Sequence, residues 1–188
     1  MIVSLPGRQR GFTLIELLVV MALIGILAVV GLANYNTSLM RGRDAKRKQD
    51  IKSVSQALEL YWADYETYPA SDGNGSIAPC DVSATCSTIS WGGAASLSDP
   101  NHGATLYMKN IPSDPSVGQQ YYYQVSTDGK AYKLWARLEI STDPQAMGNV
   151  SSCAGYTGEP SCGTNGNCNF ARTSSNVSMC SDGGMTFQ

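Results

Sequence analysis

From Phe12 to Ala33 the chain runs 22 residues with Glu16 as its sole charge. A helix over that run would be roughly 33 Å long, close to the hydrocarbon thickness of a bilayer. The run therefore reads as a membrane-spanning helix. An isolated charge in that setting costs about 2.5–3.5 kcal/mol on insertion scales, so Glu16 has to be neutralised or paired. The segment is not an ordinary secretory signal. Arg8 and Arg10 supply a basic leader and Gly31-Leu32-Ala33 has the small residues of a cleavage site, but the apolar core is too long and carries a carboxylate.

The 188 residues suffice for one domain plus an extension. A net charge of −2 does not point to nucleic-acid binding, which usually rests on a basic surface. Composition shifts along the chain: residues 1–40 are apolar, 41–68 are charged and helix-friendly, and the remainder is rich in Gly, Ser, Thr, Asn and Tyr. All six cysteines (Cys80, Cys86, Cys153, Cys162, Cys168, Cys180) lie in that last part. An even count behind an apolar N-terminal segment reads as disulfides formed in an oxidising compartment. A zinc site is disfavoured, because there is no C-x-x-C and His102 is the one histidine. Pairing is open, with Cys80–Cys86 favoured as a local bridge.

The flanking charges oppose the simplest orientation rule. Arg8 and Arg10 precede the run, whereas Arg41, Arg43, Lys46, Arg47 and Lys48 follow it. The cysteines override that count, since long domains translocate largely regardless of charge. The C-terminal domain is expected outside the cytoplasm.

Gly11-Phe12-Thr13-Leu14-Ile15-Glu16, after a short basic leader and before an unbroken apolar helix, resembles the prepilin peptidase site of type IV pilins and type II secretion pseudopilins. The resemblance implies cleavage between Gly11 and Phe12, N-methylation of Phe12, and retention of the helix on the mature protein. It also implies that Glu16 meets the N-terminal amine of a neighbouring subunit during filament assembly. The alternatives are pairing with its own chain's amine or protonation. The implied partners are the prepilin peptidase, copies of the chain and other pilins, the inner membrane before assembly, and the pilus or secretion machinery. The destination is an extracellular pilus or a periplasmic pseudopilus.

Beyond the apolar run, Ile51, Val54, Leu58, Tyr61, Trp62 and Tyr65 form one helical stripe, and Pro69 predicts a stop near Thr67. Lys46–Asp50 and Asp44–Lys48 have the i,i+4 spacing of ion pairs. Tyr121, Tyr123 and Val125, then Tyr132, Leu134, Ala136, Leu138 and Ile140, alternate with more polar residues on either side of Asp128-Gly129. That pattern predicts a hairpin with one face on the helix and the other wet. The fold class is α+β: a long N-terminal helix on a small antiparallel sheet, with disulfide-stapled loops; 70–103 and 141–188 are read as surface loops or short strands held by disulfides. The expected divisions are a leader at 1–11, a membrane or filament-core helix at 12–33, its amphipathic continuation at 34–68, and a globular domain at 69–188.

Ile111-Pro112-Ser113-Asp114-Pro115 also resembles the major pseudopilin of type II secretion. Members of that group bind calcium in a C-terminal loop, but acidic residues around Asp182-Gly183-Gly184 are too sparse to carry the site over, so no cofactor or metal site is assigned. The reading is a structural filament subunit and not an enzyme. There is no Ser/His/Asp order, metal cluster or phosphate loop, and His102 sits in a turn-like loop. The alternative is a surface-binding minor pilin that captures DNA or a ligand through Arg41–Lys48, against a bland reading of that run as a solvated or inter-subunit face. The tyrosines 121–123 are read as strand packing in preference to a binding patch. More distant is an anchored disulfide-bonded domain of unknown function.

Overall fold

A computed structural model describes residues 11–79, 87–93, 96–98, 105–153, 158–181 and 186–187, without the side chains at 30–34 and 152. Helix α1 spans Leu14–Tyr65. The chain divides into two compact units, Met1–Leu39 and Met40–Gln188.

In the first unit α1 carries its apolar side chains into the open: Leu14 is 82% exposed and Val29 70%. No helix is long and apolar enough to cross a membrane among the described residues. The expected span is therefore a property of the sequence from Phe12 to Ala33.

In the second unit the predicted stripe is the buried face of α1. Ile51, Val54, Leu58 and Tyr61 are buried, with Trp62 and Tyr65 packed at the margin. The helix ends as Glu66 takes a left-handed conformation, its amide donating to the Trp62 carbonyl at 2.8 Å. Such a residue satisfies one of the last-turn carbonyls. Lys130 from the hairpin turn donates to the Glu66 carbonyl and lies over the Trp62 ring.

Two short pairs follow, β1 (Ala70–Ser71) with β2 (Ile77–Ala78) and β3 (Leu97–Ser98) with β4 (Leu106–Met108). The main sheet has the order β5 (Tyr122–Val125), β6 (Tyr132–Ala136), β7 (Phe170–Thr173), antiparallel throughout. Gly129 closes the β5–β6 turn in a left-handed conformation. The turn is tied by the Ser126 carbonyl, which accepts from Gly129, and by Asp128 Oδ1, which accepts from Lys130.

Two details depart from the sequence reading. First, β6 ends at Ala136, short of Leu138 and Ile140. The amide of Leu138 goes to Asn169 Oδ1 and those of Glu139 and Ile140 go to the Asp44 carboxylate, so a ladder partner is not needed there. Second, neither face of β6 is wet. Tyr132, Leu134 and Ala136 join the helix core, while Trp135 packs with Met147, Cys153, Cys162 and Cys168 in a second cluster, and Lys133 is buried on that side too. The 141–188 region, read as loops or short strands, supplies the short strand β7 and this second layer. Strands covered on both faces lose simple alternation of exposure.

Tyr121 and Tyr123 are fully buried, as expected of strand packing. Gly75 allows the tightest approach. Its φ is +91°, and a Cβ there would collide with the Tyr122 ring.

Candidate functional site

The first unit presents the predicted processing residues. Gly11 and Phe12 precede the first turn of α1 in non-helical backbone and are exposed, Phe12 to 87%. The Gly11–Phe12 peptide is thus free of the hydrogen-bond ladder that a peptidase would otherwise have to break. Thr13 and Glu16 form a reciprocal cap. Glu16 Oε2 accepts from the Thr13 amide and hydroxyl, both at 2.8 Å, and the Glu16 amide donates to Thr13 Oγ1 at 3.3 Å. The sequence reading did not include this partner. Its signal was the T-x-x-E spacing directly before an apolar run, the signature of a capping box. Glu16 therefore occupies the start of its own helix, where a carboxylate complements the macrodipole.

The second unit holds an ionic cluster that the charge run concealed. Arg47 is fully buried. Its Nε and Nη2 donate to the Asp114 carboxylate at 2.7 and 2.8 Å, and its Nη1 donates to Asp44 at 2.8 Å and to Glu139 at 2.7 Å. Ser116 Oγ accepts a further bond from Nη2. Every face of the planar fork is used, which is the condition for a buried guanidinium to be tolerated. Burial alone would lower the Arg47 pKa, but the hydrogen bonds that Arg47 donates to Asp114, Glu139 and Asp44 reverse that and raise it. Arg43 also binds Glu139, and this bond more than Arg47 holds the Glu139 carboxyl down at about 2.

The cluster resolves the Arg41–Lys48 run into separate charges with different partners. Arg43, Lys46, Arg47 and Lys48 each spend their charge on a carboxylate of the same chain. Lys46–Asp50 forms as its spacing predicted. Asp44 instead pairs with Arg47, and Lys48 reaches Asp143 at 2.6 Å. Arg41 remains exposed and without an ion pair among the described residues. The Asp114 that anchors Arg47 lies in the Ile111–Pro115 block singled out in the sequence.

Cys153 bonds Cys180, and Cys162 bonds Cys168. The favoured Cys80–Cys86 bridge, His102 and Asp182-Gly183-Gly184 lie outside the described residues. Among the described residues no group of three His, Cys, Asp or Glu is placed to hold a metal ion.

Comparison with known proteins gives a consistent set. Residues 6–32 match the prokaryotic N-terminal methylation motif. The type II secretion system core protein G of Pectobacterium carotovorum is 30% identical over 128 residues, covering 68% of this chain and 72% of the relative. The type IV major pilin protein PilE1 of Neisseria gonorrhoeae is 28% identical over 134 residues, covering 71% of this chain and 55% of that pilin. The type IV major pilin protein PilA of Myxococcus xanthus is 36% identical over 61 residues, 32% of this chain and 28% of its own. No solved structure matches the chain.

Proposed function

The chain belongs to the pilin and pseudopilin family, and from that premise we propose that it is a non-catalytic subunit of a helical filament. A prepilin peptidase cuts between Gly11 and Phe12 and methylates the new amine of Phe12. The run from Phe12 to Ala33 holds the subunit in the inner membrane until assembly and then lies in the filament core, with the disulfide-bonded domain outside the cytoplasm. The observation that carries this reading is the exposed, non-helical Gly11–Phe12 peptide directly before the Thr13–Glu16 cap.

Glu16 is the assembly determinant in this reading. Cleavage creates a positive amine at Phe12, and an unpaired amine and an unpaired carboxylate are each costly away from water. The capping box keeps the carboxylate satisfied in the isolated subunit. A neighbour's amine then replaces the Thr13 donors as subunits pack. Likeness to core protein G over two thirds of both chains favours a secretion pseudopilus. The disulfide-stapled second layer favours exposure outside the cell, as in a surface pilus.

Mass spectrometry of the N-terminal peptide, from membranes of cells expressing the matching prepilin peptidase, tests the proposal. A peptide starting at methylated Phe12 is the expected result. An intact leader, or cleavage after Ala33, overturns it. Electron microscopy of the processed protein then separates long surface fibres from short periplasmic ones.

A further inference from the structure

In the second unit, the Arg41–Lys48 stretch of α1 and the loop at 140–144 enclose a groove of about 380 Å³. Arg41, Ala45 and Lys48 line its helix side, and Ile140, Thr142 and Pro144 its loop side. Offsets of 0, 4 and 7 place the three helical residues on one face, with the small Ala45 leaving room between two cations. Asp44 and Asp143 also border the groove, but both carboxylates are already engaged. Asp44 accepts from Arg47 and from the Glu139 and Ile140 amides. Asp143 accepts from Lys48 and from the Gln145 amide. Lys48 is thereby compensated, and its ammonium also lies over the Phe170 ring at 5.9 Å. Arg41 is exposed and enters no ion pair among the described residues, so its guanidinium is the surplus charge of the groove.

We propose that this groove binds the phosphodiester headgroup of an anionic phospholipid, with Arg41 as the counter-charge. The inference rests on the membrane-held subunit proposed above. Arg41 follows Ala33, the end of the apolar run, by eight residues, which amount to about 12 Å of helix. The headgroup layer beyond the hydrocarbon is about 5–8 Å thick on each side. Helical side chains lean toward the N-terminal end of their helix, so the long Arg41 side chain closes much of the difference. Tyr35, which lies between the two in the chain, is exposed and is of a type enriched at that interface. One free guanidinium matches one phosphodiester, and its planar fork takes two phosphate oxygens at once. DNA would need several cations spread over a basic surface. Tethering beside the bilayer also holds headgroups at an effective concentration that a dissolved anion does not reach. The Thr142 hydroxyl is then available to a headgroup glycerol, while Ile140 and Pro144 keep water from one side of the phosphate.

The chain processed at Phe12 is reconstituted in nanodiscs holding phosphatidylglycerol and phosphatidylcholine in equal amounts. Lipid that stays with it on transfer to detergent is identified by native mass spectrometry. Phosphatidylglycerol is expected in about fivefold excess over phosphatidylcholine. Arg41→Gln removes the excess, and so does Ala45→Phe, which fills the groove and keeps the charge. Lys52→Gln removes an exposed cation outside the groove and keeps the excess. Urea midpoints equal to the parent's show that the variants fold. No preference in the parent, a preference that survives Arg41→Gln or Ala45→Phe, or its loss in Lys52→Gln overturns the site. Displacement of the lipid by excess inorganic phosphate overturns the lipid assignment, because the groove would then serve a dissolved anion. If the chain is not processed or does not stay with the bilayer, the filament-subunit reading itself fails and the site falls with it.

Discussion

Arg47 shows how one residue can set the architecture around it. A guanidinium with no exposed surface needs its donors filled, and the fork geometry of arginine reaches three carboxylates from different parts of the chain at once. Glu139 is the member whose titration reports on the cluster. Its carboxyl is held at about 2, first by Arg43 and then by Arg47, with partial burial opposing. The unfolded chain would titrate it near the ordinary value of about 4.3. Because folding lowers this pKa, the contribution is complete above about pH 4.3 and is lost as pH falls toward 2, amounting to about 3 kcal/mol. Asp143 is also lowered: burial pushes it up, but the Lys48 hydrogen bond, the Gln145 amide and the Lys48 charge together outweigh that, and it pulls in the same direction. Glu139→Gln is therefore expected to unfold at lower urea than the parent at pH 7, with the gap closing as the pH drops from 4.5 to 2.5. A gap that stays constant across that range would show that Glu139 does not carry the acid sensitivity.

At the scale of elements, the sheet depends on a layer cross-linked by disulfides. Cys162–Cys168 closes a loop of sequence separation 6, and Cys153–Cys180 one of 27. Chain-entropy bookkeeping gives about 2.5 kcal/mol for the shorter and about 3.5 kcal/mol for the longer. Replacing Cys153 and Cys180 by Ala should then destabilise the domain more than replacing Cys162 and Cys168, as read from chemical denaturation followed by Trp135 fluorescence. The reverse order would mean that packing around Trp135, and not loop closure, sets the contribution. Such pairings were not legible from spacing, since six cysteines admit 15 patterns. The helix stripe and the hairpin were legible, because their periodicities of 3.6 and 2 are local. Strand β7 was not: Phe170–Thr173 has two inward residues at most, and it pairs with β6 more than thirty residues earlier in the chain. The same distance hid the ionic cluster. Arg47 looks like one cation in a run of five until Asp114 and Glu139, at separations of 67 and 92, are brought to it. Conversely, the Thr13–Glu16 cap is local, and its T-x-x-E spacing directly before an apolar run makes it readable from the sequence.

The whole molecule separates two kinds of surface by unit. Up to Leu39 the large apolar side chains described are exposed, Phe12, Leu14, Leu18, Ile24 and Leu27 each by more than half. From Met40 onward lie both hydrophobic clusters, the ion pairs and the two bridges described. Contiguous exposed apolar surface of the first kind demands a lipid or protein cover. The second unit draws every stabilising contact named above from its own residues. A chain beginning at Met40, expressed into an oxidising compartment, is thus expected to be monomeric in plain buffer, to carry the Cys153–Cys180 and Cys162–Cys168 bridges, and to unfold in one cooperative transition. The full-length chain in the same buffer should sediment unless detergent is added. Gel filtration and thermal unfolding of the two side by side read both outcomes. An oxidised Met40 fragment without a cooperative transition would show that residues before Met40 are part of the folding unit, and the assignment of the cores to the second unit alone would have to be withdrawn.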